Sequence, residues 1–198
     1  MTEIVVGVTG SIACYKTCDL VSALRKDPGI RVQVVMTREA VQFVTPLTFQ
    51  TLSGNKVYTD VFEAPEEWDL LHTSLSAQAN LILVSPATLN LIGKLASGIC
   101  DDLLTCTLFA SKAPVILAPA MNTRMYEHPV TRENIARLKK LRYEFVGPAR
   151  GELACREVGL GHIADNQEIL AAVRLRLKES APGASAHRRR IKGGKKTK

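Results

Sequence analysis

A chain of 198 residues that is 46% hydrophobic and only 5% aromatic must build its core from Val, Ile, Leu and Ala. That length fits one domain with a short extension, and an aliphatic core of this kind suits a buried parallel sheet. The net charge of +7 is local: residues 187–198, HRRRIKGGKKTK, carry seven Lys or Arg and no acid, and taking those seven from 26 leaves 19 bases against 19 acids. Nucleic acid is therefore not an expected partner of the domain, residues 1–180. Residues 181–198 read as a linker and a disordered basic tail, since Gly and Lys there cannot bury a core. No apolar run reaches the ~18 residues that span a bilayer, and Met1 to Thr9 runs straight into a strand pattern instead of a secretory leader. The cysteines, Cys14, Cys18, Cys100, Cys106 and Cys155, are odd in number and irregularly spaced, which reads as reduced thiols in a cytoplasmic protein.

In chain order, Ile4 to Thr9 is a first strand, followed by Gly10-Ser11 and a helical stretch from Ile12 to Lys26. Val32 to Met36 is a second strand ending at Thr37. Leu81 to Ser85 is a third, closed by Pro86, and Val115 to Ala118 a fourth, closed by Pro119. A weaker fifth spans Tyr143 to Val146. Helical periods fill Asn90 to Leu95, Asp102 to Ala110, Thr131 to Leu141 and Gln167 to Leu177. Strands alternating with helices imply right-handed βαβ units, an α/β fold with a parallel sheet covered on both faces. Ligands of such sheets bind at the carboxyl ends of the strands.

The motifs fall at those ends. Gly7-Val8-Thr9-Gly10-Ser11 joins strand to helix, where glycine lets the backbone approach a ligand and helix amides hold a phosphate. The pattern is neither G-x-G-x-x-G nor a P-loop, which favours a mononucleotide phosphate over NAD or ATP. Thr37, Thr88 and Asn90 can bond a ligand across the strand ends, or, for the two threonines, cap helices. Asp101 and Asp102 suit a helix N-terminus, and with no clustered His or Cys beside them no metal is expected. Pro119-Ala120-Met121-Asn122-Thr123-Arg124-Met125 has no explanation in propensity; Asn122 offers a donor and an acceptor to a polar substrate group and Met121 an apolar wall. Of the four histidines, His72 is the best-placed base. Residues 151–162, GELACREVGLGH, hold three glycines, which suggests a mobile flap carrying the thiol of Cys155.

These stretches, in this order over roughly residues 3–175, resemble the homo-oligomeric, flavin-containing cysteine decarboxylases. The resemblance implies a Rossmann-like (flavodoxin-like) three-layer sandwich, with FMN at a subunit interface in a trimer or a dodecamer of trimers. By motif, it puts Gly10, Ser11 and Ile12 at the FMN phosphate and Thr37, Thr88, Asn90 and Ala120 on the rest of the cofactor. His72 becomes the catalytic histidine, Asn122 the residue that binds the substrate carboxylate with Met121 and Ala154 beside it, and Cys155 the proton donor in a substrate clamp. In the family's chemistry the substrate thiol is oxidised to a thioaldehyde, CO₂ leaves, and the resulting enethiol is reduced while Cys155 gives a proton; the flavin carries the electron pair and ends unchanged.

Within the family, the clamp cysteine favours the coenzyme A branch, which acts on 4′-phospho-N-pantothenoylcysteine to give 4′-phosphopantetheine. The rivals are a peptidyl-cysteine decarboxylase of peptide maturation and a non-catalytic regulatory flavoprotein. The sequence departs from the family at Leu91, where Thr is usual, and at Arg156 and His162, where Gly and Arg are common. The synthetase domain fused to many bacterial relatives is not expected here, which makes a separate synthetase the expected partner.

Overall fold

A computed structural model describes residues 1–62, 70–154 and 156–180; residues 63–69, Cys155 and the tail 181–198 lie outside the described residues. Among the described residues, one all-parallel sheet holds β1 (Thr2–Val8), β2 (Ile30–Met36), β3 (Val57–Tyr58), β4 (Leu81–Ala87), β5 (Val115–Pro119) and β6 (Glu144–Phe145). Its spatial order is β3-β2-β1-β4-β5-β6, the doubly wound Rossmann order; with the two-residue edge strand β3 set aside it is also the flavodoxin order.

Side chains alternate across a strand, so one strand feeds two cores. Ile4, Val6 and Val8 of β1 pack against α1 (Cys14–Arg25), α2 (Pro46–Ser53) and α8 (Asn166–Ser180), through Leu20, Val21, Phe49, Ile169 and Val173. On the opposite face Val5, Ile82 and Val84 meet α3 (Leu71–Gln78), α4 (Leu89–Ser97), α5 (Leu103–Ala110) and α7 (Pro129–Lys140), through Leu71, Leu75, Ile92, Leu104, Ile135 and Leu138. Fully burying a side chain such as Leu104 is worth about 1.5–3 kcal/mol, and the nearly aromatic-free sequence supplies many of them. Gly7 belongs to this packing: a Cβ there would sit 2.5 Å from a Leu104 methyl and 3.3 Å from Val84. Gly7 is thus a packing glycine of the second core, and the glycine of the motif that faces a cavity is Gly10.

The five sequence-read strands are present, and β3 is an addition too short to carry a periodicity. The larger difference concerns residues 149–152 and 158–162. They form an antiparallel hairpin, β7 (Ala149–Glu152) with β8 (Val158–His162), where the sequence suggests a glycine-rich flap. Glycine is poor in strands, so propensity hides it. The reason for glycine is close approach: a Cβ on Gly159 would run into the Thr123 hydroxyl, and one on Gly161, at φ +149°, into the Met121 carbonyl.

Candidate active site

The strand order reverses between β1 and β4, and such a switch point opens a crevice at the carboxyl ends. Two adjoining cavities occupy it, sharing Ser11, Ala120 and Met121 as a common wall. The smaller, about 310 Å³, is lined by Gly10, Ser11, Thr37, Thr88, Asn90, Leu91, Lys94 and Asp102. The larger, about 600 Å³, is lined by Ile12, Tyr15, Lys16, Asn122, Ala154 and His162. Both volumes fall in the range of small-molecule sites.

Local folding explains how each side chain arrives there. Thr9, 2% exposed, ties the walls together: its hydroxyl donates to the Pro86 carbonyl at 2.7 Å and accepts the Thr88 N–H at 3.0 Å. Ser11 accepts the Ala13 N–H at 3.3 Å, and Thr37 accepts the Ala40 N–H at 3.3 Å. Thr88 is the N-cap of α4, accepting from the Leu91 N–H. The Ser11, Thr37 and Thr88 hydroxyls each use a lone pair on the backbone and keep the proton for donation, so capping and ligand contact coexist. A Cβ on Gly10 would run into that of Glu39, so this glycine lets the chain after β2 close over the turn. Leu91 is 2% exposed and buries the apolar floor of the smaller cavity where a hydroxyl residue is usual in the family.

The acids at the start of α5 behave as the sequence reads them. Asp102 accepts the Thr105 N–H at 2.8 Å in a reciprocal capping box. Burial opposes its charge, but the Thr105 N–H, Lys94 and the Thr105 hydroxyl outweigh it and hold the carboxyl below its ordinary range. Burial likewise opposes the charge of Lys94, and Asp101 at 2.7 Å with Asp102 at 2.9 Å overcomes it and raises the ammonium. The smaller cavity thus has a fixed cation, Lys94, with its counter-ion Asp102 in its wall.

In the larger cavity Asn122 is the N-cap of α6 (Thr123–Glu127), its amide oxygen accepting the Arg124 N–H at 2.8 Å. The Met121 N–H donates to the Gly161 carbonyl at 3.0 Å. The P-A-M-N segment and the hairpin are therefore one unit. Lys16, which the sequence reading passes over, meets His162, noted there only as a departure from the family, with Nζ 3.0 Å from Nε2, while His162 Nδ1 lies 2.8 Å from the Ile163 carbonyl. With Nδ1–H donating to that carbonyl, Nε2 is placed to accept from the lysine. Lysine on an amphipathic helix is an ordinary surface residue in sequence, so only the fold reveals this pair. Arg156 takes φ +64°, the region where glycine, the family's usual residue, sits without strain; a non-glycine there costs about 1–2 kcal/mol.

His72 is not part of either cavity. It lies half-buried on α3, which packs on α5 on the sheet face opposite α1. Cys155 lies outside the described residues, although Ala154, its neighbour in sequence, lines the larger cavity. Among the described residues no group of three or more His, Cys, Asp or Glu is arranged to hold a metal, and no helix is long and apolar enough to cross a membrane.

Gly161→Ala is expected to detach the hairpin from Met121 while the sheet stays folded. Strain of about 1–3 kcal/mol at such a position should make tryptic cleavage after Arg150 and Arg156 about tenfold faster or more. Cleavage at the parent rate would show that the hairpin is not anchored there.

Comparison with known proteins follows the same lines. The family model described as Flavoprotein matches residues 1–178. The chain is 46% identical over 182 residues to the coenzyme A biosynthesis bifunctional protein CoaBC of Bacillus subtilis, covering 91% of this chain and 45% of that protein. It thus spans about half the length of such curated relatives. A probable phosphopantothenoylcysteine decarboxylase of Streptococcus mutans is 43% identical, over 86% of this chain and 96% of its own length. Among solved structures, a PPC decarboxylase mutant complexed with pantothenoylaminoethenethiol superposes with a TM-score of 0.81 at 29% identity, over 88% of this chain and 97% of that one. The FMN-dependent cysteine decarboxylase SpaF gives 0.80 at 28% identity, over 92% and 98%. With the fold, the site and these likenesses in agreement, the chain belongs to the flavoprotein family.

Proposed function

We propose that this chain is the FMN-dependent decarboxylase that converts 4′-phospho-N-pantothenoylcysteine to 4′-phosphopantetheine in coenzyme A biosynthesis. The observation that carries the reading is the pair of cavities meeting at Ala120 and Met121, one furnished for a cofactor and one for a substrate. The relatives named for this step and the solved PPC decarboxylase support the choice of substrate.

The smaller cavity fits FMN in its chemistry. The start of α4 and the Gly10–Ser11 turn before α1 line it, and a helix N-terminus favours a phosphate. Gly10 and Ser11 would hold the phosphate end there, with Ile12 beside them on the larger cavity's side. Thr37, Thr88, Asn90 and Ala120 would hold the rest, with Leu91, Met121 and Met125 as apolar wall. Bound flavin supplies an electron sink and returns the pair, which an ordinary cysteine carboxylate needs in order to lose CO₂. Asn122, its amide oxygen fixed by the cap, would orient the substrate carboxylate beside Met121 and Ala154. Lys16, on the same wall, is a cation for the anionic end of the substrate. Cys155 would give the final proton to carbon.

His72 would reach this site from a second copy of the chain, since it lines neither cavity of its own chain. The protein is accordingly a homo-oligomer, trimeric or built of trimers, working in the cytoplasm with a phosphopantothenoylcysteine synthetase as functional partner. SpaF, an FMN-dependent cysteine decarboxylase, is a structural neighbour as well, and a peptidyl-cysteine decarboxylase is the alternative reading. Purified protein should be yellow, take up added FMN and release it on denaturation. A colourless chain that takes up none would rule out both flavin readings.

A further inference from the structure

Two cysteines take no part in that chemistry. Cys100 is exposed, in the segment between α4 and α5, and Cys106 is on the first turns of α5. Their sulfurs are 3.0 Å apart, about 1 Å longer than an S–S bond. The approach is set by the fold. Asp102 caps α5 through Thr105, and Lys94 holds Asp101 at 2.7 Å and Asp102 at 2.9 Å, so the five residues between the two cysteines are wrapped around the helix start.

We propose that Cys100 and Cys106 are an oxidation site, a thiol pair that a peroxide converts to an intramolecular disulfide which pins the Asp102–Lys94 wall of the smaller cavity. With hydrogen peroxide the exposed Cys100 sulfur attacks one oxygen, the O–O bond breaks, and the first water leaves with Cys100 as sulfenic acid. The Cys106 sulfur then displaces the hydroxyl, the S–S bond forms, and the thiol proton leaves with that hydroxyl as the second water. Two thiols are oxidised by two electrons and one peroxide is reduced to two waters. Burial, the hydrogen bond and charge of Cys100, and the carboxylates of Asp102 and Asp101 push the Cys106 thiol up to about 11. Cys106 therefore stays protonated at neutral pH, and Cys100 is the first to react.

The disulfide would close a short loop that contains Asp102, which lines the smaller cavity together with Lys94. Closing it holds that wall in its present arrangement and slows exchange of whatever the cavity binds. The flavin-exchange consequence rests on the FMN reading above; formation of the disulfide does not.

The tryptic peptide 95–112 contains both cysteines and no other, which makes the test direct. The full chain is treated with hydrogen peroxide, alkylated, digested and weighed. The expected result is a peptide 95–112 lighter by two hydrogens and unalkylated, restored to two alkylated thiols by dithiothreitol. Cys100→Ser and Cys106→Ser should each abolish it and keep the fold. FMN release should slow several-fold in the oxidised parent and in neither variant. Two fully alkylated cysteines after treatment, separate sulfinic acids, or a disulfide between chains would overturn the proposal. A mapped disulfide with unchanged FMN release would overturn its link to the cavity. A chain that binds no FMN would overturn the functional reading and leave the peptide mapping to decide the disulfide.

Discussion

Cys155→Ser is expected to release one CO₂ per site from its first substrate and then stop. Oxidation and decarboxylation need the cofactor, a base and a group that orients the carboxylate, and none of these is the clamp thiol. Reduction of the enethiol needs a proton, and a Ser hydroxyl, with a pKa far above the ~8.5 of a thiol, is a poor acid. Steady turnover should fall by about 10²–10⁴, the usual worth of a positioned general acid. The signature is the split: a stoichiometric burst of CO₂, an enethiol on the enzyme and bleaching of the yellow colour. A variant that turns over like its parent would remove Cys155 from the chemistry.

The second large effect concerns His72 and Asn122. His72→Asn should block the first half-reaction and leave the yellow colour intact. Asn122→Asp sets a carboxylate where the substrate's own must sit, so binding is opposed by like charge. Each variant alone should lose about 10²-fold or more in kcat/KM. Because His72 lines neither cavity of its own chain, the site proposed here joins the His72 of one copy to the Asn122 of another. Unfolding and refolding an equimolar mixture of the two variants should then rebuild about a quarter of the sites, from closed symmetric assembly of random copies. No recovery beyond the sum of the two variants would mean that both residues act within one chain.

How much of this could be read from the sequence depends on range. The strand runs Ile4 to Thr9 and Leu81 to Ser85 are contiguous apolar stretches, and their alternation with helical periods gives the parallel sheet directly. The caps at Thr88 and Asp102 are local chemistry and also read through. Hairpin β7–β8 does not, because Gly159 and Gly161 are there for contacts with Thr123 and Met121, far away in the chain. Lys16 meets His162 at a separation of 146 residues, and a helix pattern cannot announce such a pair. Gly10, Ser11, Thr37, Thr88, Asn90 and Ala120 gather around one cavity, whereas Ile12, which the motif order groups with them, lines its neighbour with Met121, Asn122 and Ala154. His72 is the exception, since nothing in a single sequence tells whether a residue serves its own chain or the next.

The mass of the product tests the central claim most directly. Purified protein loaded with FMN and given 4′-phospho-N-pantothenoylcysteine should yield a saturated thiol, lighter than the substrate by one CO₂ and by nothing else, over many turnovers. An enethiol lighter by two further hydrogens would assign the chain to the peptide-maturation chemistry, and an unchanged substrate in the presence of bound FMN would contradict the account.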